Sequence, residues 1–352
     1  MDKNLSKLYK ENNGHRGLMN DTYHNNFRRK CELVITFFVN LFLTKKLKAK
    51  PTPREQELID ELRKDTLNFS HASNGLKSED EWMKHAQRTA NMIQIDDPRR
   101  FLTWNAIKDT MGGSNYFFIL HELKYLKSLP DWKTRWKPAI VEDNFGQQPP
   151  FFMYPKSSGN LIHHAYVLAM FENMTKKKID DLSFIFDYGA GYGSVCRLAH
   201  RLGFKGKYLM YDISVFSGLQ SYFLKNIGME VISFDDFLAA EKGICCISDF
   251  EKLNAYMEKS PNYKTESSLL MGMWSISESP LKTRSNVMRY LSSFSYFLFG
   301  YQDMFGEVDN NLYFEQIRKD LPLVSWNYER LKHLPGHNLL CGGVQQNNHD
   351  ER

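Results

Sequence analysis

Three glycines and two carboxylates carry the clearest chemical signal in this chain. In Phe184-Ile-Phe-Asp-Tyr-Gly-Ala-Gly-Tyr-Gly-Ser-Val-Cys-Arg-Leu-Ala-His200 an apolar run ends in Asp187. Gly189, Gly191 and Gly193 then fall on alternate positions ahead of a helix-like stretch. Glycine lets the backbone turn sharply, so a ligand can approach the amino end of the next helix, where N–H groups and the helix dipole attract polar atoms. This is the pattern of a nucleotide-binding strand–turn–helix. A second apolar run, Lys207-Tyr-Leu-Met-Tyr-Asp212, ends in a carboxylate 25 positions after Asp187, the interval of one βαβ repeat. Asp212, at the tip of the second strand, is placed to accept hydrogen bonds from both ribose hydroxyls of an adenosine lying across the sheet edge.

Spacing narrows the ligand. A dinucleotide fingerprint needs G-x-G-x-x-G, and the last position is Ser194 when read from Gly189 and Cys196 when read from Gly191. No Gly-Lys-Ser/Thr of a P-loop occurs. The remaining pattern, D-x-G-x-G-x-G, resembles that of S-adenosylmethionine (SAM) dependent methyltransferases, and it implies SAM as cofactor with Asp187 nearer its amino-acid end.

The elements that must position these residues are an α/β sheet. Alternating segments predict strands at Ser183–Phe186, Tyr208–Tyr211, Ser268–Ser275 and Tyr296–Tyr301, with a closing hairpin of Ser325–Leu331 and Asn338–Gly342. Glu230–Phe234 reads as strand three. Ile244–Ile247 is either an additional strand or strand three itself, in which case Asp249 would meet the adenine amino group. Ser217–Asn226 reads as a helix. The expected fold is a Rossmann-like, seven-stranded methyltransferase sheet with its last strand antiparallel. Ahead of it, residues 1–140 form a lysine-rich helical region, in which Arg54–Arg63 has apolar residues at helical intervals. Residues 141–180 connect the two as a substrate- or cofactor-facing segment, 181–345 hold the SAM-binding domain, and 346–352 form a disordered tail. Lys45, Lys46, Lys48 and Lys50 read as a solvated helix end.

Several further motifs resemble the sugar O-methyltransferase family: Glu142-Asp-Asn-Phe-Gly, Ser157-Ser-Gly-Asn-Leu-Ile-His-His, the glycine motif, Tyr211-Asp-Ile-Ser, Tyr301-Gln-Asp-Met-Phe-Gly-Glu and His333-Leu-Pro-Gly-His-Asn. The match covers about residues 140–343. It implies an O-methyltransferase acting on a hydroxyl of a saccharide, a nucleotide sugar or a glycan.

Methyl transfer to oxygen is an in-line displacement, so the protein must align the reactants and usually take the hydroxyl proton. In an open α/β sheet the working residues follow the carboxyl ends of the strands. That selects Trp274-Ser-Ile-Ser-Glu278, Gln302 with Asp303, and His333 with His337 in the hairpin turn. His337 is the first candidate for general base, because histidine titrates near neutrality, and Glu278 is the second. A turn histidine is ordinarily solvated, and Glu278 before Ser279-Pro280 could equally cap the next helix. Asn160 and His164 lie one turn apart on a helix running to Glu172 and are expected cofactor or substrate contacts, although helix packing would account for them as well. No carboxylate–histidine cluster suggests a metal, and Pro335-Gly336 keeps His333 and His337 off a helix.

Composition bounds the rest. The chain has 352 residues, 42% apolar, enough for a large core. Its longest apolar run, Leu33–Leu43, is interrupted by Thr36 and Asn40 and reads as a buried helix, not a membrane span. The start lacks the apolar core of a signal peptide, and five cysteines without C-x-x-C spacing argue against disulfides and a cysteine zinc site, so a cytoplasmic location is expected. A net charge of +5 permits an anionic substrate without requiring nucleic acid. The runner-up function is an RNA methyltransferase; the charge and the lack of an Asp/Asn-Pro-Pro-Tyr/Phe motif stand against a nucleic-acid partner. A noncatalytic SAM-fold subunit is the third class.

Overall fold

Strands buried on both faces read as near-continuous apolar runs, and five such runs build the parallel part of the sheet. They are β1 (Phe184–Tyr188), β2 (Lys207–Tyr211), β3 (Gly243–Ile247), β4 (Ser268–Met273) and β5 (Tyr296–Gln302). A short ribbon of β6 (Met304–Phe305) and β7 (Val308–Asp309) precedes a hairpin of β8 (Val324–Arg330) and β9 (His337–Val344). In this computed structural model β9 inserts antiparallel between β5 and β8, giving the order β3-β2-β1-β4-β5-β9-β8. That is the expected Rossmann-like, seven-stranded sheet with its last strand antiparallel. The structure describes residues 27–42, 50–69, 77–111, 115–143, 145–259 and 267–344, with isolated positions 6, 8, 9, 11, 12 and 47. Lys45, Lys46, Lys48 and the tail at 346–352 lie outside the described residues.

The chain divides into two compact units, one of residues 1–166, 191–202 and 213–231, the other of 167–190, 203–212 and 232–352. The first holds helices α1 (Phe27–Phe42), α2 (Pro53–Thr66), α3 (Lys77–Ile95), α4 (Phe118–Ser128), the start of α5 (Gly159–Thr175), α6 (Ser194–Arg201) and α7 (Ser214–Asn226). Helix α2 begins with a capping box between Thr52 and Glu55 and buries Leu58, Ile59 and Leu62. Arg63 then donates to the carbonyls of Ile93 and Asp96, and Lys225 of α7 meets Glu61 at 2.5 Å. The expectation of a buried helix over 33–43 needs correction. In α1 Glu32 and Val39 are covered, but Val34, Phe37 and Phe38 are 54%, 62% and 51% exposed, because only one helix face is packed. Among the described residues no helix is long and apolar enough to cross a membrane.

In the second unit the core gathers on the sheet. Phe184 and Phe186 of β1 lie near-parallel to Phe294, with ring centroids 6.1 and 6.2 Å apart. Leu209, Cys245, Leu270 and Phe297 from the neighbouring strands join them in the buried core. Helices α8 (Phe234–Ala239), α9 (Phe250–Lys259), α10 (Leu281–Met288) and α11 (Asn310–Asp320) complete the unit. Glu230–Phe234 is not a strand. Ser233 caps α8 by accepting the Asp236 N–H at 3.1 Å, and Asp235 and Asp236 suit the helix's positive end, so the segment turns into a helix and strand three is Gly243–Ile247. Phe294→Ala should destabilise the protein by about 3–5 kcal/mol in urea unfolding, with the slope unchanged, because the hole it leaves is walled by rigid sheet residues.

Candidate active site

All three motif glycines have positive φ, +68° at Gly189, +60° at Gly191 and +87° at Gly193. A Cβ on Gly189 would collide with Ser275, and the Gly189 N–H is held by the Tyr211 carbonyl at 2.8 Å. The Gly191 carbonyl accepts the Gln220 amide at 3.0 Å, and Gly193 starts α6. The N–H groups of Ala190, Gly191, Tyr192 and Gly193 make no hydrogen bond among the described residues. A row of open donors at a helix start fits the carboxylate and polar edges of a cofactor such as SAM.

The acids near the turn differ in environment. Asp187 is 3% exposed and accepts the Tyr208 hydroxyl at 2.8 Å. Burial pushes its carboxyl up to about 7, against the opposing pull of that bond. Asp212 is half-buried at the end of β2, its N–H fixed to the Ile247 carbonyl at 3.1 Å. Asp249 is exposed, and its Oδ1 accepts the Glu251 N–H at 2.8 Å, which caps α9.

In the first unit, Asn160 donates to the Tyr192 hydroxyl at 3.1 Å. Tyr192 packs edge-on against Phe101 and Phe223 at 5.7 and 5.1 Å, so Asn160 braces the second half of the glycine turn. His163 pairs with the buried Glu122 at 2.8 Å. His164 has its Nδ1 shut away without a hydrogen-bond partner, and burial, with His163 and Arg197 nearby, pushes the ring down to about 3. It is neutral at physiological pH. The Glu142-Asp143 motif does something the sequence did not disclose. Both carboxylates bind the buried Arg197 of α6, at 2.8 and 2.7 Å, and Asp143 also meets Arg201 at 2.6 Å, which anchors the helix that follows the turn.

The second unit brings most of the catalytic candidates together after β4 and β5. Trp274 sits at φ +66°, a strained left-handed conformation for a bulky residue, and its N–H bonds the Gly300 carbonyl at 2.7 Å. Its ring passes over Gly300, where a Cβ would come within 3.0 Å, so glycine is needed there. The indole Nε1–H reaches His337 Nδ1 at 2.7 Å. Because indole can only donate, His337 Nδ1 must be the acceptor, and the neutral ring carries its proton on Nε2. Gln302, level with His337 across the β5–β9 ladder, lies 3.2 Å from Glu278 Oε1 and 2.9 Å from Ser277 Oγ. Burial pushes the Glu278 carboxyl up to about 7, opposed by the Gln302 bond. Arg284, buried on α10, binds the carbonyls of Ser277 and Ser279 and the Asn310 side chain, at 2.5, 2.8 and 2.7 Å, and so clamps the loop that carries Glu278. The same loop touches the glycine turn. Ser275 packs on Gly189 and donates to the Tyr188 carbonyl, and the Tyr188 and Ser279 hydroxyls lie 3.0 Å apart. His333 is half-buried in the β8–β9 turn. Among the described residues no group of three His, Cys, Asp or Glu side chains could hold a metal ion.

No family model matches this sequence, and no curated protein does. Solved structures similar to it include a Methanococcus jannaschii fibrillarin pre-rRNA processing protein, at 13% identity and TM-score 0.31, over 47% of this chain and 68% of that one. Another is magnesium protoporphyrin IX methyltransferase from Synechocystis, bound to S-adenosylhomocysteine, at 12% identity and TM-score 0.32, over 63% and 97%. A third is a Podospora anserina methyltransferase bound to the same ligand, at 6% and 0.32, over 79% and 100%. Likeness at this level says nothing about what this chain binds or acts on.

Asp187 sets a pH dependence. Its folded carboxyl titrates above the ordinary value of 3.8, so the stability it contributes is complete in acid and is lost as pH rises through about 7. Wild type should lose on the order of 2–3 kcal/mol between pH 5 and pH 8 from this group, and Asp187→Asn should flatten that part of the profile in chemical denaturation.

Proposed function

We propose that the protein is a SAM-dependent O-methyltransferase whose acceptor is a hydroxyl of a saccharide, free, nucleotide-linked or within a glycan. The observation that carries this reading is the packing of Ser275 on Gly189, which sets the Glu278 loop directly against the glycine turn. The open N–H groups of residues 190–193 would receive the cofactor's carboxylate, and Asp212 its ribose hydroxyls. Asp187 acts from below as a buried brace on β2, and Asn160 acts through Tyr192. When bound, SAM would supply a methyl carbon on positive sulfur, to which an acceptor oxygen would bond in line as the C–S bond breaks toward sulfur.

The acceptor's proton goes to Glu278. A carboxyl near 7 is matched to proton transfer at physiological pH. His337 is better suited to donate from Nε2, orienting an acceptor hydroxyl, because the Trp274 indole engages its Nδ1 lone pair. The saccharide rests on the family resemblance over residues 140–343, and the half-buried Trp274, its ring beside His337, suits a polyhydroxyl ring with one apolar face.

Incubation with methyl-labelled SAM and a panel of free sugars, nucleotide sugars, glycans and RNA tests this, and label appearing only in RNA would overturn the saccharide assignment. Glu278→Gln should cut turnover by about 10² to 10⁴ with SAM affinity nearly unchanged, and wild-type turnover should rise with pH through about 7 as the carboxylate forms. Asp212→Ala should weaken SAM binding at least ~10-fold in calorimetry, since each charge-assisted hydroxyl bond contributes about 1.5–3 kcal/mol.

A further inference from the structure

Hydrogen-bond accounting around Glu278 leads one step further. Ser277 Oγ lies 2.7 Å from the Trp274 carbonyl oxygen and 2.9 Å from the Gln302 side-chain oxygen, yet a hydroxyl has one proton to give. Two networks satisfy these positions. In the first, Ser277 donates to Gln302 Oε1, and the Gln302 amide donates to an ionised Glu278. In the second the amide is turned over. Glu278, carrying a proton, donates to Gln302 Oε1; Gln302 Nε2 donates to Ser277 Oγ; and Ser277 donates to the Trp274 carbonyl. A side-chain amide has nearly the same shape with its O and N exchanged, so both networks share one set of heavy-atom positions.

We infer that Gln302 is the positioning residue of Glu278, and that its amide turns over as the carboxyl gains or loses its proton. This rests on Glu278 being the proton acceptor. The site then holds the carboxylate for attack and the acid after transfer with the same residues and no loop movement. Ser277 is fully buried, and Arg284 and Asn310 fix its backbone carbonyl, so the hydroxyl cannot leave the array cheaply. Around the loop stand His337 from β9, held by Trp274; Asp303 after β5, tied to Asn338 and Arg330; Arg284 from α10; and Tyr188 from β1, against Ser279. Among the described residues none of these bonds the Glu278 carboxyl, whose partner is Gln302.

The two networks predict shifts of opposite sign. Gln302→Met removes a charge-assisted bond to the carboxylate and a weaker neutral bond from the acid, and so should raise the Glu278 midpoint. Ser277→Ala removes one hydrogen bond from the ionised network and two from the protonated one, and should lower it. Each shift should be roughly half to one pH unit. The midpoint is read by carbon-13 NMR of glutamate-labelled protein, with the Glu278 signal assigned by its loss in Glu278→Gln. Opposite shifts support the inference; equal midpoints, or shifts in one direction, overturn it. Should Ser277→Ala not fold, the wild-type Gln302 amide signals decide, since they must move with the Glu278 midpoint, and constant signals overturn the inference. The titration needs no turnover. Failure to methylate any acceptor would therefore fall on the proposed function, while these shifts would still judge Gln302.

Discussion

The site depends on one close approach, that of Ser275 to Gly189. No side chain fits between them, so the strand–turn–helix must carry glycine at its first turn position, and the loop after β4 must arrive at one height on the sheet edge. The Ser275 hydroxyl then closes on the Tyr188 carbonyl, and a Tyr188–Ser279 contact repeats the connection one turn along. Gly189 and the loop after β4 become a single piece of backbone geometry. The left-handed Trp274 is the cost of that route, and it places an indole over Gly300 and against His337.

Buried polar groups hold this arrangement. Arg197 with Glu142 and Asp143, Asp187 with Tyr208, and Arg284 with two carbonyls and Asn310 are each desolvated and each directional. Removing one partner of such a set leaves the other stranded, which costs more than the contact returns, so these residues specify geometry more than they add stability. Two carboxyls, Asp187 and Glu278, are both held near 7, by burial in each case. Glu278 is half-buried, whereas Asp187, within β1, is 3% exposed.

The sheet was legible because its strands are apolar runs ended by acids or turns: β1, β2, β4, β5 and the β8–β9 hairpin fall within about two residues of the expected bounds. Of the two readings of strand three, Ile244–Ile247 holds; Glu230–Phe234 misled because Val231, Ile232 and Phe234 look strand-like, although Ser233 followed three positions later by Asp236 signals a helix start. Candidate catalytic positions followed from strand ends. Their connections did not. Arg197 is 55 residues from Glu142, and Trp274 is 63 from His337, and no periodicity links positions so far apart. The backbone angle at Trp274, which turns its indole toward His337, has no counterpart in residue type. The exposed face of α1 was hidden for a related reason, since an apolar run does not say how many of its sides are covered.

The central claim is that the glycine turn holds SAM beside Glu278. A crystal structure of the protein with S-adenosylhomocysteine and a methylated acceptor tests it most directly. The account predicts ribose hydroxyls on Asp212, a ligand oxygen on the N–H groups of residues 190–193, and the acceptor's oxygen within about 3 Å of Glu278. A ligand bound away from the turn, or an acceptor oxygen facing groups other than Glu278 and His337, would contradict it.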